Sequence, residues 1–520
     1  MRYQLACKTT VALLHAINRY SLAILPAIVR CKVSQESDSY QKLHKPSNTF
    51  QSREDYLNHE LQIIAPKRWR LNLPGRDYRV EWEDCVPGMA ATIGKIVMVA
   101  AVVGAFAAPL GLSPEFVVEN VRFELLIAAV LFVVLISGFF NPSANLAGTH
   151  GPLLPLVPLI VVSGGHPMAL GLLIGFFGFL LGITKGGSVL AKLTSNGVCG
   201  GLLLYLGFIG ITGQVKKLFA WAESFDMAYL AFVVIVATIL MYAWLEHIQK
   251  RWLAIPLGAV MAAVIAFALG APFEFTTSPG MPNLNPAYWW GENTGWQLGL
   301  PDWSHFIAVL PFAVLAVSMW SPDFLGHQVF QKLSYPKNSE KAHMNIDDTM
   351  IAASSRQAVG SLLGGGNIAS SWGTYIIPAS IARRPIPGGA IVTGLLCVVA
   401  AIWGYPMDLA IWPPVLCVAL IVGVFLPLME AGMQMTREGK TTQSAALVVI
   451  SSVLVNPVFG WSFTMLLDNL GLVGCKERAG ELGKAGRWLI PGITFIVLCT
   501  VMALIGMFPG VPAIMETFRL

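Results

Sequence analysis

The sequence predicts an all-α polytopic membrane protein of fourteen transmembrane spans in a seven-plus-seven inverted repeat, with spans 3 and 10 discontinuous. Three observations predict it. Of the 520 residues, 55% are hydrophobic and 12% charged, with a mean hydropathy of +0.64, against about 25% charged residues in an average soluble domain. Apolar runs recur from Val86 to Phe508, and most can cross a hydrocarbon layer of about 30 Å. Two of them are broken, at Asn141-Pro-Ser-Ala-Asn-Leu-Ala-Gly-Thr-His-Gly-Pro152 and at Gly364-Gly-Gly-Asn-Ile-Ala-Ser-Ser-Trp-Gly-Thr374. Irregular backbone at membrane depth is tolerated only where protein encloses it or it lines a cavity, so matching breaks in two halves point to a transporter's binding site.

The elements follow in order. Residues 1–85 read as a polar N-terminal tail that holds 13 of the 34 Lys and Arg residues, as expected of a cytoplasmic segment. Within it, Val11 to Val29 is interrupted by His15, Asn18 and Arg19. It lacks a signal peptide's apolar core and cleavage site, which leaves an ordinary leader or an amphipathic, targeting-like helix. Ser52-Arg-Glu-Asp-Tyr and Lys67-Arg-Trp-Arg are expected to pack on the inner membrane face. The first repeat, 86–271, places spans at 86–110, 123–140, 141–163, 167–184, 197–212, 226–246 and 252–271. A central outer loop, 272–304, is aromatic and acidic. The second repeat, 305–508, places spans at 305–331, 347–363, 364–382, 388–404, 409–430, 442–467 and 487–508, and 509–520 is a C-terminal tail. Seven is odd, so the second set enters from the opposite side.

Charge placement tests this topology. With the N-terminus inside, the inner loops carry Lys185, Lys192, Lys250, Arg251, Lys332, Lys337, Lys341, Arg383, Arg384, Arg437 and Lys440, and the central outer loop carries no Lys or Arg. Lys476, Arg478, Lys484 and Arg487 disagree, because they fall between the last two spans, on the outside. Either nearby acids blunt their signal or the chain around Asn456-Pro457 makes an extra or re-entrant pass.

The chemistry concentrates at the breaks. Pro142 bars helix at its neighbour, Gly148 weakens any helix through it, and Pro152 suits the first turn of a half-helix. In the second break the glycines prevent helix, and Ser370 or Ser371 can cap a half-helix beginning near Trp372. Helix N-termini offer unpaired N–H groups and about half a positive charge each, so two of them facing near the midplane suit an anionic or carbonyl-rich solute. The competing account is close packing of small residues between helices. On these grounds Gly148, Thr149, His150, Gly151, Ser370, Ser371, Trp372, Gly373 and Thr374 are candidate substrate contacts. A histidine satisfied by backbone is the alternative for His150.

Span 8 carries Asp323-Phe-Leu-Gly-His327 after an apolar run. An ionisable group inside a span costs a few kcal/mol and is a functional-site hypothesis by default. Asp323 and His327 are four apart on one helix face and could hold or pass a proton. The alternative is a structural pair between Asp323 and a neighbouring helix. Lys95, in span 1, is a possible charge partner of a bound anion or of Asp323, or else a lysine snorkelling to an interface. Arg356 and Glu430 are expected to be structural or interfacial.

Walker A, H-E-x-x-H and strand-flanked G-x-G-x-x-G motifs are absent, which argues against an enzyme or an ATP-driven pump. Eight scattered cysteines without a C-x-x-C pair call for neither a zinc site nor a disulfide framework. No cofactor or resident metal is expected, and a net charge of +5 concentrated in the tail does not suggest nucleic-acid binding.

From about Glu83 to Phe508 the chain resembles the superfamily of uracil/xanthine permeases, SulP sulfate permeases and band 3-type anion transporters. Glu83-Asp-Cys-Val-Pro-Gly-Met is similar to the acidic start of the first SulP span, and Asn145-Leu-Ala-Gly-Thr-His-Gly-Pro152 to its third-span motif. Asp348 through Gly366 to Arg383-Arg-Pro385 is similar to the span 9 and 10 region. Asp323-x-x-Gly-His327 resembles the permease E-x-x-G-H motif, in which the acid contacts the nucleobase and the histidine supports proton coupling. Thr374 stands where the permeases carry a second substrate-binding glutamate. The resemblance implies a core domain of spans 1–4 and 8–11, a gate domain of spans 5–7 and 12–14, elevator-like motion and a homodimer. The expectation is a secondary active transporter of a small polar solute, an inorganic or organic anion, coupled to a proton or sodium ion and embedded in the plasma (inner) membrane with its N-terminus cytoplasmic. A nucleobase:proton symporter is the alternative.

Overall fold

The computed structural model describes residues 50–144, 151–285, 299–363, 383–437, 441–474 and 483–514. Its elements among these are helices, of which nine are long and apolar enough to cross a membrane.

The chain enters through α1 (Arg53–Ile63), capped by Ser52, whose hydroxyl accepts from Asp55 N. Helix α2 (Cys85–Leu110) follows at the position expected for span 1. Helix α3 begins earlier than its apolar run suggests. The Ser113 hydroxyl accepts from Phe116 N and Pro114 occupies the first turn, so the α-helix Pro114–Ile127 runs into a π-wound continuation, Ala128–Phe140. Next, α4 is a short helix made of a 3-10 turn, Gly151–Leu156, and Val157–Val162. Then come α5 (Pro167–Thr184), α6 (Gly186–Leu193), α7 (Asn196–Glu223), α8 (Ala228–His247) and α9 (Ala254–Ala268). The second half supplies α10 (Trp303–Ser334), α11 (Ile346–Leu362), α12 (Ile386–Trp403), α13 (Tyr405–Ile411) and α14 (Pro413–Met435). It closes with α15 (Thr442–Leu454), α16 (Pro457–Asn469) and α17 (Ala485–Leu504).

Span 13, expected as one helix over 442–467, is two. Pro457 cannot continue a helix across Val455-Asn456, and the Asn456 side chain instead accepts from Phe459 N to cap α16. The two helices fold back on each other. At their paired ends the Ser444 hydroxyl donates to Asp468 Oδ1 at 2.6 Å, and Asn469 Nδ2 donates to Leu193 O at 2.9 Å. Thirteen residues rise only about 20 Å, too little for either helix to cross alone.

The helices pack as two sets. In one, α5 lies along α11 and α10, and α12 lies along α2 and α3. Small residues allow the α5–α11 approach: a Cβ at Gly175 would meet Ala358, and one at Gly178 would meet Ser354 and Trp320. In the other, α7 is surrounded by α8, α14, α15 and α16, and α9 packs on α8 and α14. Helix α4 touches both sets, with α2 and α10 on one side and α7 and α14 on the other.

The tail from Phe50 to Asp84 is folded onto the first set. Arg70 N and Asn72 N donate to the carbonyls of Phe140 and Phe139, satisfying the orphan end of α3. Arg68 forms a bidentate pair with Asp348 of α11, which also accepts from Asn141. Deepest of all, the Arg384 guanidinium donates to both Glu60 and Asp84, and the three side chains are fully buried. Burial alone would lower the Arg384 pKa, but the two carboxylates outweigh it and raise it above the usual arginine range.

Candidate functional site

Helix α4 starts at Gly151, where the broken third span is expected to resume helix, and its first turn lies at the boundary between the two helix sets. Gly148, Thr149 and His150, like Ser370, Ser371, Trp372, Gly373 and Thr374, lie outside the described residues. Asp323 and His327 fall one turn apart within the continuous helix α10, which itself contacts α4; their side chains are outside the described set.

Lys95 is 6% exposed and ten residues into α2, a rise of about 15 Å and so about half a hydrocarbon core. It does not snorkel. It lies beside Cys397 of α12 and within electrostatic reach of two charges on other helices, Glu124 and Arg356. Those two form a buried ion pair, with Arg356 Nη2 donating to Glu124 Oε1. Both are at most 2% exposed, and each stands ten residues from the start of its own helix, α3 or α11. Three charges from three helices therefore meet at one depth. A buried ion pair of this kind gains little over an apolar pair, but losing either partner leaves an uncompensated charge.

Glu124 escapes a reading of the sequence because the span there is drawn from 123, which puts the acid at its end. The signal that could have found it is Ser113-Pro114-Glu115, an N-cap followed by proline, which moves the helix start nine residues earlier. Arg356 agrees with the structural role expected of it in having a carboxylate partner. Glu430 is likewise paired, with Tyr242 and Arg251.

The helix ends near Arg122, Ala401 and Asp408 are tied down by polar contacts. Arg122 is held by Glu119 and by the carbonyls of Ala401 and Gly280, while Asp408 accepts from the hydroxyls of Thr276 and Thr277. His166 caps α5: its Nδ1 accepts from Met168 N, so its proton sits on Nε2 and is donated to Gly299 O at 2.7 Å.

A family model described as protein of unknown function (DUF3360) matches residues 31–515. The chain belongs to this family. A search of curated proteins gives no match for this DUF3360 member. Among solved structures, the transmembrane domain of a cyanobacterium bicarbonate transporter, BicA, is similar at 13% identity and a TM-score of 0.49, over 84% of this chain and 99% of that one. The murine solute carrier 26 family member A9 anion transporter, in its inward-facing state, is similar at 13% identity and a TM-score of 0.50, over 86% of this chain and 76% of that one. A further structure of SLC26A9 gives 13% identity and a TM-score of 0.52, over 86% and 73%. The DUF3360 chain thus has the fold of the SLC26-type transporters, as the superfamily resemblance implies, and it is a multi-pass integral membrane protein.

Proposed function

We propose that this protein is a secondary active transporter of a small inorganic or organic anion, bound near the membrane midplane between the half-helices of spans 3 and 10 and span 8. The observation that carries this reading is the placement of α4. A short helix whose first turn lies at the seam between two separately packed helix sets, beside a helix with a buried lysine at mid-depth, is what an alternating-access site requires. The two sets support a core of spans 1–4 and 8–11 moving against a gate of spans 5–7 and 12–14, within a seven-plus-seven inverted repeat whose thirteenth segment is the α15–α16 hairpin. The fold is similar to that of a murine anion transporter, which favours an anion as cargo. Asp323, with His327, carries the coupling proton or sodium ion.

The test is a thermal-shift screen of the purified chain against chloride, nitrate, bicarbonate, sulfate, carboxylates and nucleobases, since a ligand of the folded state raises apparent stability by RT ln(1 + [L]/Kd). It is followed by uptake into proteoliposomes. We expect an anion to stabilise wild type and to be accumulated against its own gradient when a proton or sodium gradient is imposed, and Asp323→Asn to keep the thermal shift while losing accumulation. Stabilisation by uracil or xanthine alone would favour nucleobase symport, and full accumulation by Asp323→Asn would leave that acid a structural role.

A further inference from the structure

We propose that Lys95, Arg356 and Glu124 together fix a net charge of +1 at the centre of the core and thereby make this protein select monovalent over divalent anions. The inference rests on the anion-transport reading and specifies its substrate class. The charge count is short because the surrounding helices are nearly free of charge at this depth. Lys95 is the single charged residue of α2, and α5 and α12 contain none. On α3, Glu119 and Arg122 pair with each other near the end of the helix, and on α11 Asp347 and Asp348 sit in the first turn, Asp348 being held by Arg68. Helix α10 adds Asp323 and His327. We take the coupling ion to be a proton, so that Asp323 is protonated when cargo is bound, and His327 is neutral.

Arg356 and Glu124 cancel, which leaves Lys95. Among the described residues no carboxylate stands within 4.0 Å of its ammonium group. An uncompensated charge in a low-dielectric interior is costly, and a visiting anion relieves that cost. Attraction to a site of +1 grows in proportion to the ion's charge, whereas the cost of taking the ion out of water grows with its square, so one fixed charge offsets that cost for a monovalent anion and not for a divalent one. The same field makes a change of one unit in site charge matter far more for a divalent than for a monovalent ion, because the interaction scales with the product of the charges.

The count makes a prediction about charge rather than about particular residues. In full-length protein reconstituted in lipid nanodiscs, nitrate and sulfate affinities are compared by calorimetry. Lys95→Gln and Arg356→Gln, both net zero, are expected to weaken both anions, sulfate by at least about tenfold. Glu124→Gln, net +2, is expected to shift the sulfate-to-nitrate affinity ratio toward sulfate by at least about tenfold. The double variant Glu124→Gln/Arg356→Gln is again net +1, and its ratio returns to within about threefold of wild type although the ion pair is gone. Lys95→Arg keeps the wild-type ratio. If Glu124→Gln alone fails to fold, the contrast between Lys95→Gln and the double variant still decides. An unchanged ratio across the series, or a double variant whose ratio departs further than that of either single, overturns the inference and leaves anion transport standing. A wild-type protein that binds neither nitrate nor sulfate overturns the inference, and one that binds no anion of the thermal-shift screen overturns both.

Discussion

A charged side chain at the centre of a bilayer costs a few kcal/mol, so each one present must be repaid by a partner or a role. Lys95 and Asp323 are recognisable from the sequence on that ground alone, since each interrupts a long apolar run. Glu124 is not, because its significance depends on where its helix starts. Arg384 shows the opposite case. It sits among inner-loop basic residues and looks like a topology signal, yet it is fully buried between Glu60 and Asp84. Removing one partner of such a cluster costs about 3–5 kcal/mol because the remaining charges lose their compensation. We expect Arg384→Ala to lower the unfolding temperature and to expose Arg53 and Lys67 to trypsin under native conditions, while Arg383→Ala, whose pair with Glu54 is exposed, changes neither. Equal protease resistance in wild type and Arg384→Ala would show that the tail is held elsewhere.

At the scale of elements, helix ends decide more than helix interiors. Most spans are predictable because mean hydropathy marks them. The departures arise at local signals: Ser113-Pro114 lengthens α3, and Asn456-Pro457 divides what hydropathy reads as one span into α15 and α16. His166 is a third such signal. Its neutral ring caps α5, and burial, with His305 edge-on at 5.3 Å, pushes its pKa down to about 4 from an ordinary 6.5. The unfolded chain therefore takes up a proton below pH 6.5 that the folded protein refuses until about pH 4. Stability contributed by this group is complete above 6.5 and is lost progressively as pH falls between those values. In unfolding scans from pH 7.5 to 4, His166→Asn, which can still cap the helix, is expected to show a shallower decline than wild type. Parallel curves would mean that His166 does not contribute.

At the scale of the whole molecule, the α15–α16 hairpin bears on the one conflict in the charge pattern. Because Ser444 meets Asp468 and Asn469 meets Leu193, the chain leaves α16 at the same level at which it entered α15, beside the end of α6 that carries Lys192. If the basic loops face inside, as the sequence predicts, the basic run that follows α16 in the sequence is expected on that face too, in keeping with the positive-inside pattern. In a chain freed of its native cysteines, we expect an impermeant thiol reagent added outside to label a cysteine at Leu300 and not those at Lys337 or Gly483. Outside labelling at Gly483 would restore a crossing span at 442–467, and outside labelling at Lys337 would invert the topology.

The sequence by itself determines that this is a multi-pass helical membrane protein and where most of its spans lie. Hydropathy is a local property, and the absence of water forces every crossing segment to satisfy its own backbone. It also marks the third-span break, because Pro and Gly act on the backbone of their immediate neighbours. The tertiary structure alone decided which helices form each set, that Glu124 pairs with Arg356 across 232 positions of sequence, and that residues 50–84 are a docked strap rather than a loose tail. Those outcomes depend on which faces meet. An isolated charge in a sequence reads the same whether its partner lies one turn away or in the opposite half of the chain.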